Sequence, residues 1–507
     1  MENLALIYVG GNTTRFALWQ INDDRSYRLL ESYKETLKLG RDTMEEYLIP
    51  EPKIDRLVNI IRNFREFAES LNADKIFVIL SEFFARIDNK EQIRLRLQAE
   101  AGVEAIELTS EEELSLDYLA IINAMRIRNS LIVDIAGGST QLAWVKDGQL
   151  MESYLLPMGT LTLTAKFHLE EIVSQEAHLA LDALLSSEID KIPWLHNLLF
   201  EDLIFVGGSA RAISKIDRKK RRYPISIIHE YPMQDLDIKA MYTNFMTKSL
   251  KQRYTIDGLD KDRADILPGA LAIVYALLKK TGIQQIRISG AGIREGFLFS
   301  YLTRTYGEMP DMLDRSIDNI LSRHNVDKEK AERRYQLTKA IYEGLKGVHR
   351  PWENLDEILK VSAKLRDVGL SVRFYNHNRH NFYIVSNSEL NGLDHREVIM
   401  AALTASFDQG FSKETPLLAF GQIINRMDLA MVYDLGICVS MAENLLKSDK
   451  KTVVFDHAEV TPECVKLVFK SDDPLRFELH EVMKLNETFC YLYSRPLDVE
   501  ILPLQRN

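Results

Sequence analysis

The chain has 507 residues, 46% of them hydrophobic and 27% charged, as in a soluble globular protein of roughly three or four domains. Its formal net charge of −10 argues against a protein whose whole surface binds nucleic acid, while leaving room for local basic patches that face a polyanion. Cys438, Cys464 and Cys490 lack both metal-ligand spacing and the pairing pattern of a secreted scaffold. The first residues carry no basic leader and no apolar run is long enough to span a bilayer, so a cytoplasmic protein is expected.

Leu4 to Ile21 reads as a β-hairpin folded around Gly10 and Gly11, and Tyr27 to Leu39 as a third strand running to Gly40. Ile54, Leu57, Ile61, Phe64 and Leu71 paint the apolar stripe of a helix that covers a sheet. Lys75 to Leu80 is a buried strand opening on Ser81 to Arg86; a helix continues to Gly102, and Ala105 to Leu108 forms another strand. Thr109-Ser110-Glu111-Glu112-Glu113 begins a helix, with Ser110 as N-cap and Glu113 as its capping-box partner. The same acidic triplet also allows one glutamate to face a cleft as a general base.

The plan then repeats, with a hairpin at Ser130 to Val145, a strand at Met151 to Pro157 and helices through Phe200. Tyr8 to Ala17 lies over Asp134 to Ala143 without a gap, 126 positions apart (residue 8 against residue 134). In the second copy an apolar run ends on Asp134, and Gly137, Gly138, Ser139 and Thr140 offer backbone N–H groups and hydroxyls to an anion. An ordinary hairpin has the same pattern. Two copies imply a duplicated domain with a cleft between its halves. Leu203 to Arg211 is a third strand and glycine turn, with Gly207, Gly208 and Ser209 opening a helix onto a phosphate or nucleotide.

Arg218-Lys219-Lys220-Arg221-Arg222 reads either as solvated surface or as a track for a polyanionic substrate. Arg263 to Lys280 is a helix with Pro268 early in it, Gln285 to Ser289 a strand, and Arg294 to Tyr301 a helix. Past Met309 the strand-and-glycine pattern stops. Ser316 to Phe411 is mostly amphipathic helix, and from Lys451 alternating segments such as Val465 to Lys470 mark a small β-rich end near Leu502.

The order of these pieces resembles the Ppx/GppA family of exopolyphosphatases and guanosine pentaphosphate phosphatases, a branch of the actin-like phosphotransferase fold. Asp134-Ile135-Ala136-Gly137-Gly138-Ser139-Thr140-Gln141 is similar to the family's Asp-Ile-Gly-Gly-Gly-Ser-Thr-Glu. Leu156 to Thr164, Val206 to Ala212, Arg263 to Ala270 and Ser289 to Gly296 resemble its later turns. Ala363 to Gly369 and His377 to Asn387 resemble the HD-like domain of its long members. The resemblance implies an α/β chain with a duplicated actin-like (ribonuclease H-like) ATPase fold at 1–126 and 127–308, an HD-like helical domain at 309–446 and a β-rich domain at 447–507. It also points to a homodimer, with no membrane and no nucleic acid as partner.

The implied reaction releases orthophosphate from the end of polyphosphate or guanosine pentaphosphate by in-line attack of water, with Mg2+ or Mn2+ present. A phosphate chain repels a nucleophile until donors and cations offset its charge. By position, Asp134 falls on the metal-linked carboxylate and Gly10, Gly11, Asn12, Thr13 and Arg15 on phosphate contacts, with Arg86, one residue past the aligned position, as a further phosphate contact. Gly137, Gly138, Ser139, Thr140, Gly207, Gly208 and Ser209 complete that cradle, and Glu113 aligns with the base. That last alignment needs a one-residue deletion, without which Leu114 falls at the base position.

Three positions depart from the family pattern. Tyr8 stands where the first loop has aspartate, Gln141 where the second ends in an acid, and Ala85 where an arginine is expected, with Arg86 one step along. One step on an α-helix turns a side chain by about 100°. These changes point to lowered, altered or lost catalysis, so the alternative is a regulatory protein that binds polyphosphate or guanosine tetraphosphate. An actin-like sugar or acid kinase fits less well, because the tail follows the phosphatase family. In the helical region Arg366-Asp367 stands where His-Asp would, and Arg333 near the first histidine, so no metal is expected there. His377 and His380 read as structural or substrate-groove residues in preference to ligands.

Overall fold

Leu4, Ala5, Leu6 and Ile7 are all fully buried, so the strand that carries them, β1 (Glu2–Val9), lies in the middle of a sheet covered on both faces. It pairs antiparallel with β2 (Thr13–Ile21), which pairs antiparallel with β3 (Tyr27–Thr36). On its other edge it runs parallel to β4 (Lys75–Leu80), followed by β5 (Ala105–Glu107). The second sheet repeats this order. β6 (Asn129–Ile135) pairs antiparallel with β7 (Thr140–Lys146), and β7 with β8 (Gln149–Leu156). β6 is parallel to β9 (Asp202–Val206), and β10 (Tyr231–Gln234) and β11 (Gln285–Ile288) extend the sheet to six strands in the order β10-β11-β9-β6-β7-β8. Tyr8 faces Arg15 across the first hairpin and Asp134 faces Gln141 across the second, so the 126-residue offset survives in the register. This is a duplicated α/β fold of the actin-like kind.

This computed structural model describes residues 1–42, 47–353, 355–408, 414–448 and 453–504. Phe411 and Lys451, where two predicted segments end or begin, lie outside them. The described residues form two compact units, 1–223 with 227–310, and 224–226 with 311–507.

Within the first unit the third strand stops at Thr36, and a short helix, Leu39–Asp42, follows. The helix predicted from Arg263 begins at Leu267, with Pro268 in a first turn that needs no N–H partner. Arg253 is fully buried and donates to the carbonyls of Phe245, Leu169, Ala264 and Glu171, tying three segments together. In the basic run, Arg218 lies over the Tyr231 ring and Arg221 pairs with Asp217 and Asp237. Lys219, Lys220 and Arg222 are exposed at the carboxyl end of the helix Gly207–Arg221, where positive charge suits the helix dipole.

In the second unit, helices from Met312–Arg323 to Arg426–Leu445 share one core with the sheet β12 (Val454–Val460), β13 (Val465–Ser471) and β14 (Leu497–Pro503). Val465, Leu467 and Phe469 pack in the same cluster as Leu435 and Val439, so helices and tail form a single unit undivided near residue 447. The parallel strands β13 and β14 are joined through two helices, Arg476–Met483 and Asn486–Tyr493, which makes the tail mixed in structure. Arg366 donates to Glu443 at 2.8 Å and Arg334 to Asp367 at 2.7 Å, so both carboxylates are spent on buried guanidinium groups. His377 Nδ1 lies 3.1 Å from the Phe374 carbonyl. Among the described residues no helix is long and apolar enough to cross a membrane.

Candidate active site

The carboxyl ends of β1, β4, β6 and β9 converge on one cavity of about 310 Å3 inside the first unit, the usual ligand position in a fold of parallel strands. Its walls take in the loops at Gly10 to Thr13, Ser81 to Arg86, Ile135 to Gly138 and Gly207 to Ser209.

Glu113 enters from the helix Ser110–Ile122. The cap of that helix differs from the expected one. Thr109 is the N-cap and Glu112 its partner, the Glu112 N–H donating to Thr109 Oγ1 at 3.2 Å and the Thr109 N–H to Glu112 Oε2 at 2.9 Å. The box sits one residue earlier because Thr109 has the extended backbone of a cap, whereas Ser110 is already helical. Glu113 is thereby free to turn inward, where it is buried at 6% exposure. Its Oε1 accepts from the Tyr8 hydroxyl at 2.9 Å and from the Glu82 N–H at 3.0 Å. Burial pushes its carboxyl up to about 7, against those two hydrogen bonds and with the Glu82 and Asp134 charges adding to the rise.

Asp117, one helical turn beyond Glu113, also lines the cavity and is buried. Its carboxyl and that of Asp134 are within hydrogen-bonding reach of each other. Burial drives both upward, Asp117 well above the ordinary range with the Asp134 charge reinforcing it, while Arg211 opposes the rise in each. Sequence reasoning passed over Asp117, although its spacing of four from Glu113 places both on one helix face.

Facing these acids are Arg15, Arg211, Arg263 and Arg294. Among the described residues Arg15, Arg211 and Arg263 have no ion-pair partner, an arrangement open to an anion. Arg15 is pushed down to about 9 by burial, with repulsion from Arg211, Arg294 and Arg263 adding to it, and stays charged at neutral pH. Arg211, Arg263 and Arg294 lie in motifs that carried the family resemblance, yet none is itself a predicted site residue. The glycines of the third turn make room for two of these charges. Gly207 has φ +85°, and a Cβ there would lie 2.1 Å from Asp134 Oδ1; a Cβ on Gly208 would lie 2.4 Å from the Arg263 guanidinium.

Of the predicted contacts, Gly10, Gly11, Asn12, Thr13, Arg15, Arg86, Gly137, Gly138, Gly207, Gly208 and Ser209 line the cavity, as do Asp134 and Glu113. Ser139 and Thr140 are not among the lining residues. The Ser139 hydroxyl donates to Glu82 Oε1 and that of Thr140 to the Met158 carbonyl, both at 2.8 Å, so packing partners take the protons once offered to phosphate. Arg86 reaches the cavity while Ala85 is exposed beside it. The segment Glu82–Arg86 is a 3-10 turn, in which the angle per residue differs from that of an α-helix. Gln141 Oε1 is buried without a hydrogen-bond partner among the described residues.

The divalent cation implied by the family resemblance needs hard oxygen donors, and Asp134, lining the cavity, supplies them. Among the described residues no group of three or more His, Cys, Asp or Glu side chains converges as a complete metal cage. The arrangement fits a cation held by few protein ligands and completed by water and phosphate, which is the habit of Mg2+.

Comparison with known proteins agrees with this geometry. The chain is 22% identical over 435 residues to a guanosine-5'-triphosphate,3'-diphosphate pyrophosphatase of Pseudoalteromonas atlantica, covering 81% of this chain and 82% of that one. It is 21% identical over 474 residues to the protein of the same name from Aeromonas hydrophila, covering 90% and 92%. An Aquifex aeolicus member of the Ppx/GppA family superposes with a TM-score of 0.54 at 20% identity, over 61% of this chain and 99% of that one. An exopolyphosphatase from Cytophaga hutchinsonii gives 0.56 at 19%, over 61% and 100%. The Ppx/GppA phosphatase family profile matches residues 20–305, more than half of the chain, and the profile of the family's domain III matches 313–475. With the duplicated sheets, the glycine turns and a match of that length in agreement, the chain belongs to the Ppx/GppA phosphatase family.

Proposed function

We propose that this protein releases terminal orthophosphate from inorganic polyphosphate or guanosine pentaphosphate. The observation that carries the reading is Glu113, buried with its carboxyl pushed up to about 7, in a cavity that also presents Arg15, Arg211 and Arg263. Its Oε1 is held by Tyr8 and Glu82, and among the described residues Oε2 accepts no hydrogen bond. A water at Oε2 loses a proton to Glu113 as its oxygen forms a bond to the terminal phosphorus. The bridging P–O bond opposite breaks, and the shortened chain leaves with that electron pair. The arginines and the N–H groups of the glycine turns offset the charge on the phosphate oxygens. Asp134 would hold Mg2+ or Mn2+, which when bound neutralises further phosphate charge. The names of the two pyrophosphatase relatives support this reaction class. A cytoplasmic homodimer belongs to the same proposal.

Tyr8 favours a second reading. A phenol stands where the family pattern has a carboxylate, and its hydrogen bond occupies one oxygen of Glu113. A chain altered in this way binds polyphosphate or guanosine tetraphosphate and regulates without hydrolysing. The two readings separate when purified protein is incubated with long-chain polyphosphate or guanosine pentaphosphate plus Mg2+ or Mn2+. Phosphate release above a blank supports the enzyme; tight binding with no release overturns it in favour of the second.

The Tyr8 hydroxyl stabilises the charged form of Glu113, so its removal raises the carboxyl above its present value of about 7. For Tyr8→Phe the acid limb of the kcat/KM profile is expected to move to higher pH, with activity at pH 6 falling more than at pH 8. An unmoved limb would show that this hydrogen bond does not set the titration of the base.

A further inference from the structure

Two buried carboxylates side by side accept hydrogen bonds and donate none, so a proton or a metal cation must lie between them. Asp117 and Asp134 are such a pair, and Asp117 Oδ2 is buried with no hydrogen-bond partner among the described residues. Asp117 is only 2% exposed, yet it lines the cavity. Glycine backbone packs close against both acids. A Cβ on Gly207 would meet Asp134 Oδ1 at 2.1 Å, and one on Gly292 would meet Asp117 Oδ1 at 3.5 Å. Small residues therefore border the pair from two different turns.

We propose that Asp117 and Asp134 together form a two-carboxylate site for a divalent cation such as Mg2+ or Mn2+, with Asp117 taking the duty that Tyr8 cannot perform. Tyr8 and Asp134 hold equivalent positions in the two hairpins, and only the second bears a carboxylate. The missing acid is supplied from the helix Ser110–Ile122, which brings Asp117 to the same cavity as Glu113. Arg211 is a positive charge acting on both acids, and it is a fixed monovalent group with no ion-pair partner among the described residues. A small dication accepts both carboxylates and still binds water and phosphate oxygens. This inference rests on reading the cavity as a phosphoanhydride site.

The test measures Mn2+ binding to the full chain by the loss of the free-ion electron paramagnetic resonance signal, with Mn2+ alone and with Mn2+ plus inorganic tripolyphosphate. Asp117→Asn is expected to weaken Mn2+ binding by at least about tenfold in one or both conditions. Asp117→Leu gives the same readout if the amide variant does not fold. Equal affinities in wild type and variant, or no Mn2+ bound by wild type in either condition, overturn the inference. Mn2+ binding that depends on Asp117 in a protein that releases no phosphate keeps the site and removes the hydrolase reading. Phosphate release with an Mn2+ affinity indifferent to Asp117 does the reverse.

Discussion

Glu113→Gln is expected to lower kcat for phosphate release by about 10^2- to 10^4-fold while leaving substrate binding within a few-fold, because the amide cannot take the proton of the attacking water. The same change is expected to stabilise the protein at alkaline pH. The Glu113 carboxyl is held at about 7 in the folded chain against 4.5 when unfolded, so the native state binds the proton more tightly. Stability from this group is greatest below pH 4.5, falls as pH rises through the window to 7, and stays low above it. The shift corresponds to on the order of 3 kcal/mol. Denaturation at pH 8 should show the glutamine variant to be the more stable protein, and the difference should vanish near pH 4. Undiminished release would dismiss Glu113 as the base, and equal stability at both pH values would dismiss the cost of burying its charge.

Arg253→Met is expected to destabilise the first unit by about 3–5 kcal/mol, among the largest effects open to a single substitution in it. The guanidinium makes five hydrogen bonds to four carbonyls, the shortest 2.6 Å to Leu169. Methionine fills much of the volume and satisfies none of these acceptors, so the carbonyls stay buried without donors. Urea denaturation followed by tryptophan fluorescence measures the loss. A change within 1 kcal/mol would mean that water replaces the guanidinium, and the site would then be less closed than its full burial indicates.

The duplication was legible because it is written in local pattern. Apolar runs ending on glycine pairs recur at one offset, and the hairpins keep that offset in their register. The glycine turns were legible for the same reason. What escaped was the chemistry assembled across long separations. Asp117, on the helix Ser110–Ile122, contacts a carboxylate at the end of β6, and Arg263 meets the turn at Gly208 from a 3-10 turn, Lys261–Arg263, far along the chain. No spacing rule announces such meetings. Ser139 and Thr140 misled because a hydroxyl beside a glycine turn serves packing as readily as phosphate, and only the positions of Glu82 and Met158 decide between them. The capping box misled by one residue, since Thr109 and Ser110 are both acceptable caps and backbone conformation chooses.

That one-residue difference has a genetic corollary. Thr109 and Glu112 cap the helix end, so the Glu113 side chain has no part in holding it. Glutamate and glutamine codons differ by a single base. On the function proposed above, a duplicated copy of this gene would lose its chemistry in one nucleotide step and keep an intact, more robust scaffold for gripping a phosphate chain. Enzyme and sensor are neighbours on the mutational map.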